Sequence, residues 1–210
     1  MSGRREEILD AAVAIADESG LNAVSMRAVA ARVGVTPMAL YPHIGSKDAL
    51  LDGMIGWLLT PLPQDAAWAS APDWRERLRI LANAARSMTQ RHPWAAVLLF
   101  SRPGITPAAV RTIDGIYAAL LQAGVPPREV PRLERMVSTF IIGFAASEAG
   151  GRFSPGTLAP RARRGQLPDG DLPAHAELAP WLDGPADWDA EFAADLEDLQ
   201  RMIEAVAARG

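Results

Sequence analysis

Apolar positions recur every three or four residues along most of the chain and show no convincing one-by-one alternation, so the sequence predicts an all-α protein. Over residues 4–19 the stripe Ile8, Leu9, Ala12, Val13 and Ala16 marks a first helix, with Gly20 as its left-handed stop. A second helix starts at a Ser25 cap and runs through Val33 to Gly34, with Val29 and Val33 turned inward. Thr36 caps a third, and Pro37 takes its first position, where the missing N–H costs nothing. Ser46 caps a fourth, which carries Leu50, Leu51, Met54, Ile55 and Leu58 until Thr60-Pro61 breaks it.

Residues 62–72, LPQDAAWASAP, read as a linker, after which the segments lengthen. Asp73 with Glu76 three residues on is a capping-box pattern opening a helix to about Arg91. Thr106-Pro107 repeats the cap-then-proline device and starts a helix ending near Gly124. Another spans residues 128–149, where Leu133, Met136, Val137, Phe140, Ile141 and Phe144 make one broad apolar side. Residues 152–175, rich in Pro, Gly and charge, predict a mobile loop. The last helix is amphipathic: Trp188, Phe192, Leu196, Leu199, Ile203 and Val206 follow at spacings of three and four.

Composition narrows the class. With 210 residues, about half of them hydrophobic, the chain can bury a sizeable core. Cysteine is absent, which removes disulfides, thiolate metal sites and cysteine nucleophiles. The first twenty residues interrupt their apolar positions with acids, unlike a secretory or transit peptide, and no apolar run reaches membrane-spanning length. A cytoplasmic protein without membrane contact is the expectation. The net charge of −4 argues against a broadly basic nucleic-acid binder. In the first fifty residues Arg4, Arg5, Arg27, Arg32 and Lys47 face Glu6, Glu7, Asp10, Asp17, Glu18 and Asp48, so any DNA contact must come from local placement.

Two short helices meeting across a glycine turn read as a helix-turn-helix or, more plainly, as a helical hairpin. Ala30, four residues before Gly34, lets the helices cross closely, while Val29, Val33, Val35 and Leu40 form the wedge between them. A helix entering the major groove needs only its first turns near bases, which suits one as short as that starting at Pro37. Tyr41 and His43 can donate to phosphate oxygens at its end. Lys47, the only lysine in the chain, stands in the first turn of helix four, where exposed N–H groups already favour an anion.

The stretch VSMRAVAARVGVTPMALYPHIGSKDALLDGM closely resembles the DNA-binding head of the TetR family of bacterial transcriptional repressors, through its Gly-Val turn, Leu40-Tyr41-x-His43, and Lys47 followed by Leu50-Leu51. That resemblance covers residues 4–58. It implies an N-terminal three-helix helix-turn-helix head, residues 1–46, joined by helix four to a larger helical ligand-binding and dimerisation body, residues 47–210. It also implies a DNA-contacting set of Ser25, Arg27, Thr36, Pro37, Met38, Ala39, Tyr41, His43 and Lys47. Arg27 matches a base-reading position, where a bidentate guanine contact is worth about 1–3 kcal/mol. Pro37, Met38 and Ala39 carry no hydrogen-bonding side chains, so the recognition helix is expected to read shape and thymine methyls.

The same resemblance implies a homodimer on a palindromic double-stranded operator, joined through the 128–149 and last helices, and released by a small-molecule effector. Candidate lining residues for the effector are Trp57, Asn83, Met88, His92, Trp94, Phe100, Arg102, Phe140 and Phe144, with Glu148 as a further polar handle. Ser101-Arg102-Pro103 is similar to the Thr-Arg-Pro of tetracycline-binding members, but the position corresponding to their magnesium-holding histidine falls near Leu98. An apolar or aromatic effector is therefore expected, with no metal and no cofactor. His43, His92 and His175 lie too far apart for metal-ligand spacing, and there is neither a phosphate loop nor a serine elbow, so an enzyme is not expected. The competing reading is a helical protein-interaction module, or an activator using the same head.

Overall fold

The capping residues set most of the helix boundaries. The computed structural model describes residues 2–62, 66–102, 104–153, 171–182 and 185–210, and among these there is no β-strand. Helix α1 spans Ser2–Ser19, and a 3-10 turn, Leu21–Ala23, leads into α2, Met26–Val33. The Ser25 hydroxyl accepts from the Ala28 N–H at 3.1 Å and so starts α2. Gly34, at φ 78°, ends it, with the N–H groups of Gly34 and Val35 both reaching the Ala30 carbonyl.

The expected third helix is two turns of different pitch. Pro37–Leu40 is a 3-10 turn, and only Tyr41–Ile44, α3, is α-helical. Pro42 lacks the N–H that would bond the Met38 carbonyl, so an α-helical ladder cannot run through the junction. Thr36 caps this segment with its backbone carbonyl, which accepts from the Ala39 N–H at 3.0 Å, and not with its hydroxyl. Gly45, at φ 86°, turns the chain into α4, Lys47–Leu59, which the Ser46 hydroxyl caps through the Ala49 N–H.

In the body, α5 (Ala66–Ser70) lies inside the expected linker of residues 62–72, its Trp68 packed against the core. Helix α6, Trp74–Arg91, begins where the Asp73 carboxylate accepts from the Glu76 N–H. Helix α7, Ala95–Ser101, has no counterpart in the sequence reading; it is too short to show a period. Helix α8, Pro107–Gln122, starts at the Thr106 cap, while α9, Val130–Ala149, starts two residues later than the pattern suggested, with Pro131 in its first turn. Residues 154–170 of the expected 152–175 loop lie outside the described residues. The loop's C-terminal bound moves back, because α10, Pro173–Leu182, begins before His175. Helix α11, Trp188–Ala207, is capped by Asp187.

Among the described residues the buried side chains form two hydrophobic cores, and α4 belongs to the first. One joins Ile8, Ala12, Val29, Ala30, Leu40, Leu50 and Met54 of the first four helices and runs on into Met88, Trp94, Leu98 and Ala109. The other holds Leu78, Leu120, Leu133, Val137, Phe144, Phe192 and Ile203, with α6 lying most extensively along α9. Wedge residues Val29, Ala30 and Leu40 are fully buried, whereas Val33 and Val35 are half-buried.

Candidate nucleic-acid interface and ligand cavity

In the head, the start of α2, the 37–44 segment and the start of α4 come together, since α2 packs on the 3-10 turn and α3 packs on both that turn and α4. Arg27, Thr36, Pro37, Met38, Ala39, Tyr41 and Lys47 are exposed, Met38 to 73% and Tyr41 to 44%. Ser25 and His43 are half-buried. Arg5 Nη1 donates to the His43 carbonyl at 3.0 Å and ties the end of the segment to α1.

Charge in this region is divided between paired and unpaired groups. Arg4 pairs with Glu7 at 2.6 Å, and Arg32 forms a bidentate pair with Glu18. The hydrogen bonds from Arg32 hold Glu18 below its ordinary value and, in return, raise Arg32. Arg27 and Lys47 have no acidic partner among the described residues. Although the first fifty residues are net acidic, the two cations there without a partner among the described residues, Arg27 and Lys47, flank the exposed segment, which is the placement a phosphate backbone requires.

Helix α1 also meets the body. Trp57 donates to Asp10 at 2.6 Å; Trp94 donates to Asp17 at 2.6 Å, and His92 Nδ1 lies 2.8 Å from the same Asp17 oxygen. The His92 ring packs edge-on against both tryptophans. These three candidate effector residues therefore hold the seam between head and body.

A cavity of about 220 Å³ opens between α4, α6, α7, α8 and α9. Of the nine candidate lining residues, Met88 and Arg102 reach it. Phe140 instead stacks on Phe192 of α11, and Phe144 meets Phe192 and Phe153 at a tilt, with Phe153 in turn stacked on Trp188. Asn83 is exposed and donates to the Arg79 carbonyl, and Phe100 is 55% exposed. Glu148 meets Arg86 through bonds of 2.8 and 2.6 Å, a bidentate pair from α6 to α9 that Asp189 of α11 joins at 2.8 Å. Hydrogen bonding from Arg86 lowers the Glu148 carboxyl, burial working against it.

The cavity wall is mainly aliphatic, including Ile55, Leu59, Leu81, Ile116 and Ile141, with Arg102 at one place and Glu134 and Ser138 at another. The sequence reading missed most of these. Glu134 carried a usable signal, because it shares the i, i+4, i+7 face of Ser138 and Ile141 in an otherwise apolar pattern. Arg102 spans two regions: it lines the cavity while Nε donates to Asp52 at 2.6 Å and its terminal nitrogens reach the Asp48 carboxylate and carbonyl, each at 3.2 Å. The Asp52 hydrogen bond raises the guanidinium further above its ordinary value. Among the described residues no cluster of His, Cys, Asp and Glu is disposed to hold a metal, and no helix is long and apolar enough to cross a membrane.

An exposed helix-turn-helix on a helical body with an internal cavity defines a DNA-binding regulator. The chain belongs to the TetR family. Residues 8–54 match the model for bacterial regulatory proteins of the tetR family, and residues 69–209 match that for the tetracyclin repressor-like C-terminal domain. It is 32% identical to an HTH-type transcriptional regulator of Saccharopolyspora erythraea over 90% of this chain and 79% of that one. The HTH-type transcriptional repressor DrrR1 of Streptomyces coeruleorubidus is 31% identical over 68% of this chain, which spans about half of DrrR1 (53%). Among solved structures, a possible TetR family transcriptional regulator from Streptomyces coelicolor A3(2) superposes with a TM-score of 0.78 at 27% identity, covering 96% of this chain and 99% of that one. ActR from Streptomyces coelicolor, solved in complex with actinorhodin, shares the fold with a TM-score of 0.82 at 24% identity, over 97% of each chain.

Proposed function

We propose that this regulator represses transcription in the cytoplasm as a homodimer on a palindromic operator and is released by a small, largely apolar effector. The head is residues 1–46 and the body residues 47–210. Arg27 reads a base, Met38 and Ala39 meet thymine methyls, and Ser25, Thr36, Tyr41, His43 and Lys47 grip phosphate around Pro37. The observation that carries this reading is the pair of cations, Arg27 and Lys47, without acidic partners among the described residues on either side of an exposed recognition segment. The dimer forms through α9 and α11; Met136, 39% exposed on the apolar side of α9, supports that choice.

Release works by population shift. A ligand that prefers the conformation with mis-spaced heads weakens operator binding by its differential affinity for the two states. Arg102 supports this coupling, because one side chain lines the cavity and also binds the first two turns of the helix that starts at Lys47. Selection of duplexes from a random DNA pool by the purified protein, followed by salt titration of the winners, tests the reading. Enrichment of a palindrome with half-sites about one helical turn or more apart supports it. No enrichment above background at low salt would reject DNA binding in favour of a protein-interaction head.

A further inference from the structure

The effector site just proposed contains one acid that no cation among the described residues compensates. Glu134 lines the cavity and is only 9% exposed. Its described partner is neutral: the Ser138 hydroxyl, one turn along α9, donates to Oε1 at 2.6 Å. No arginine or lysine among the described residues comes within ion-pairing distance of it. Arg102, the one cation among the lining residues, is already bound by Asp52 and Asp48 and so offers the cavity little net positive potential. The rest of the wall is almost wholly hydrocarbon.

We infer that the cavity takes a compact organic cation, a protonated amine on an aliphatic or cage-like skeleton, with its ammonium placed against Glu134. This rests on the cavity being the effector site. A carboxylate surrounded by apolar side chains makes the local potential negative where water screens it least, so an ammonium pairs with it more strongly than in solution. Glu134 accepts the charge-assisted hydrogen bond, and Ser138 fixes the rotamer by occupying the other oxygen. The aliphatic wall covers the skeleton. A cavity of about 220 Å³ is on the scale of a small cage amine.

Isothermal titration of the full chain with adamantan-1-amine, adamantan-1-ol and adamantane-1-carboxylate separates charge from shape. The amine is expected to bind at least about tenfold more tightly than the alcohol, and the carboxylate most weakly. Glu134→Gln should bring amine and alcohol to within about threefold of each other. Glu134→Met is the second variant: it keeps the chain length, removes a buried charge and therefore folds readily. It should favour the alcohol. The inference fails if the native protein binds alcohol as tightly as amine, if the amine preference survives in both variants, or if none of the three binds. Adding the amine to the protein on its selected duplex keeps the two ideas distinguishable. Binding of the amine without loss of DNA leaves this inference standing and sinks the effector reading, whereas release by alcohol and amine alike does the reverse.

Discussion

The two ends of α4 meet different chemistry. Its N-terminus carries Lys47, exposed and without an acidic partner among the described residues; further along, Asp52 binds Arg102 beside the cavity, and Ile55 and Leu59 form the wall. Around the first end, the side chains that matter are local in sequence and point outward. Around the second, they come from five helices and converge inward. In the head Arg27 and Lys47 are left to a partner from outside, while in the body Arg86, Glu148 and Asp189 are spent on one another.

The sharpest way to break this comparison is to remove the clamp in the body. Arg86 is buried, held by Glu148 and Asp189, and lies over the rings of Phe144 and Phe192 at 5.4 and 5.0 Å. Arg86→Ala leaves Glu148 without its cation and is expected to cost about 3–5 kcal/mol in urea-induced unfolding. DNA sequence preference of the molecules that remain folded should be unchanged. A change in preference would show that the body fixes how the head reads bases.

In the head the expected losses are of affinity. Arg27→Ala should relax preference at one base pair per half-site by about 1–3 kcal/mol. Lys47→Ala should weaken binding to every sequence and reduce the salt slope by about 0.9 per head. Neither should lower the melting temperature, since neither side chain has an acidic partner among the described residues. Equal losses on all duplexes for both variants would refute the division between reading and gripping.

The difference in how far each region could be read from the sequence has the same origin. Ser25, Gly34, Pro37 and Ser46 act within one turn of their own position, so caps and turns were legible, and so was the exposure of the residues between them. At Pro42 the sequence shows a missing hydrogen-bond donor, but the change of pitch from Pro37–Leu40 to Tyr41–Ile44 is seen only in the structure. The cavity was another matter. Helical periodicity says which side of α9 is inward, but not whether Phe144 meets a ligand or Phe192, because that depends on where α11 lies. Periodicity alone points aromatic residues at the cavity, whereas the structure lines it mainly with aliphatic side chains, together with Arg102, Glu134 and Ser138.

Acid should weaken the body by a route unconnected to the Lys47 face. The Glu148 carboxyl is lowered in the folded protein by Arg86, so its contribution to stability is present above its ordinary value of 4.5 and is lost as pH falls through the lower folded value. Unfolding of the native protein and of Glu148→Gln is expected to differ at neutral pH and to converge as the pH falls below the ordinary value of 4.5 and through the lower folded one. A difference that persists through acid would mean that packing, and not the ion pair, supplies Glu148's share.

The smallest effect separates two roles carried by one side chain. Ser25 is half-buried and caps α2 through the Ala28 N–H, yet it also stands among the residues proposed to touch phosphate. Ser25→Ala should cost about 1 kcal/mol in stability, the usual loss of a cap. Ser25→Asp supplies an equally good cap and adds a negative charge near the helix N-terminus, so the fold should keep its melting temperature. If the hydroxyl faces phosphate, the aspartate variant binds DNA distinctly more weakly than the alanine variant despite being more stable. Affinity that instead follows stability in both variants would place Ser25 in the scaffold of the head and remove it from the DNA face.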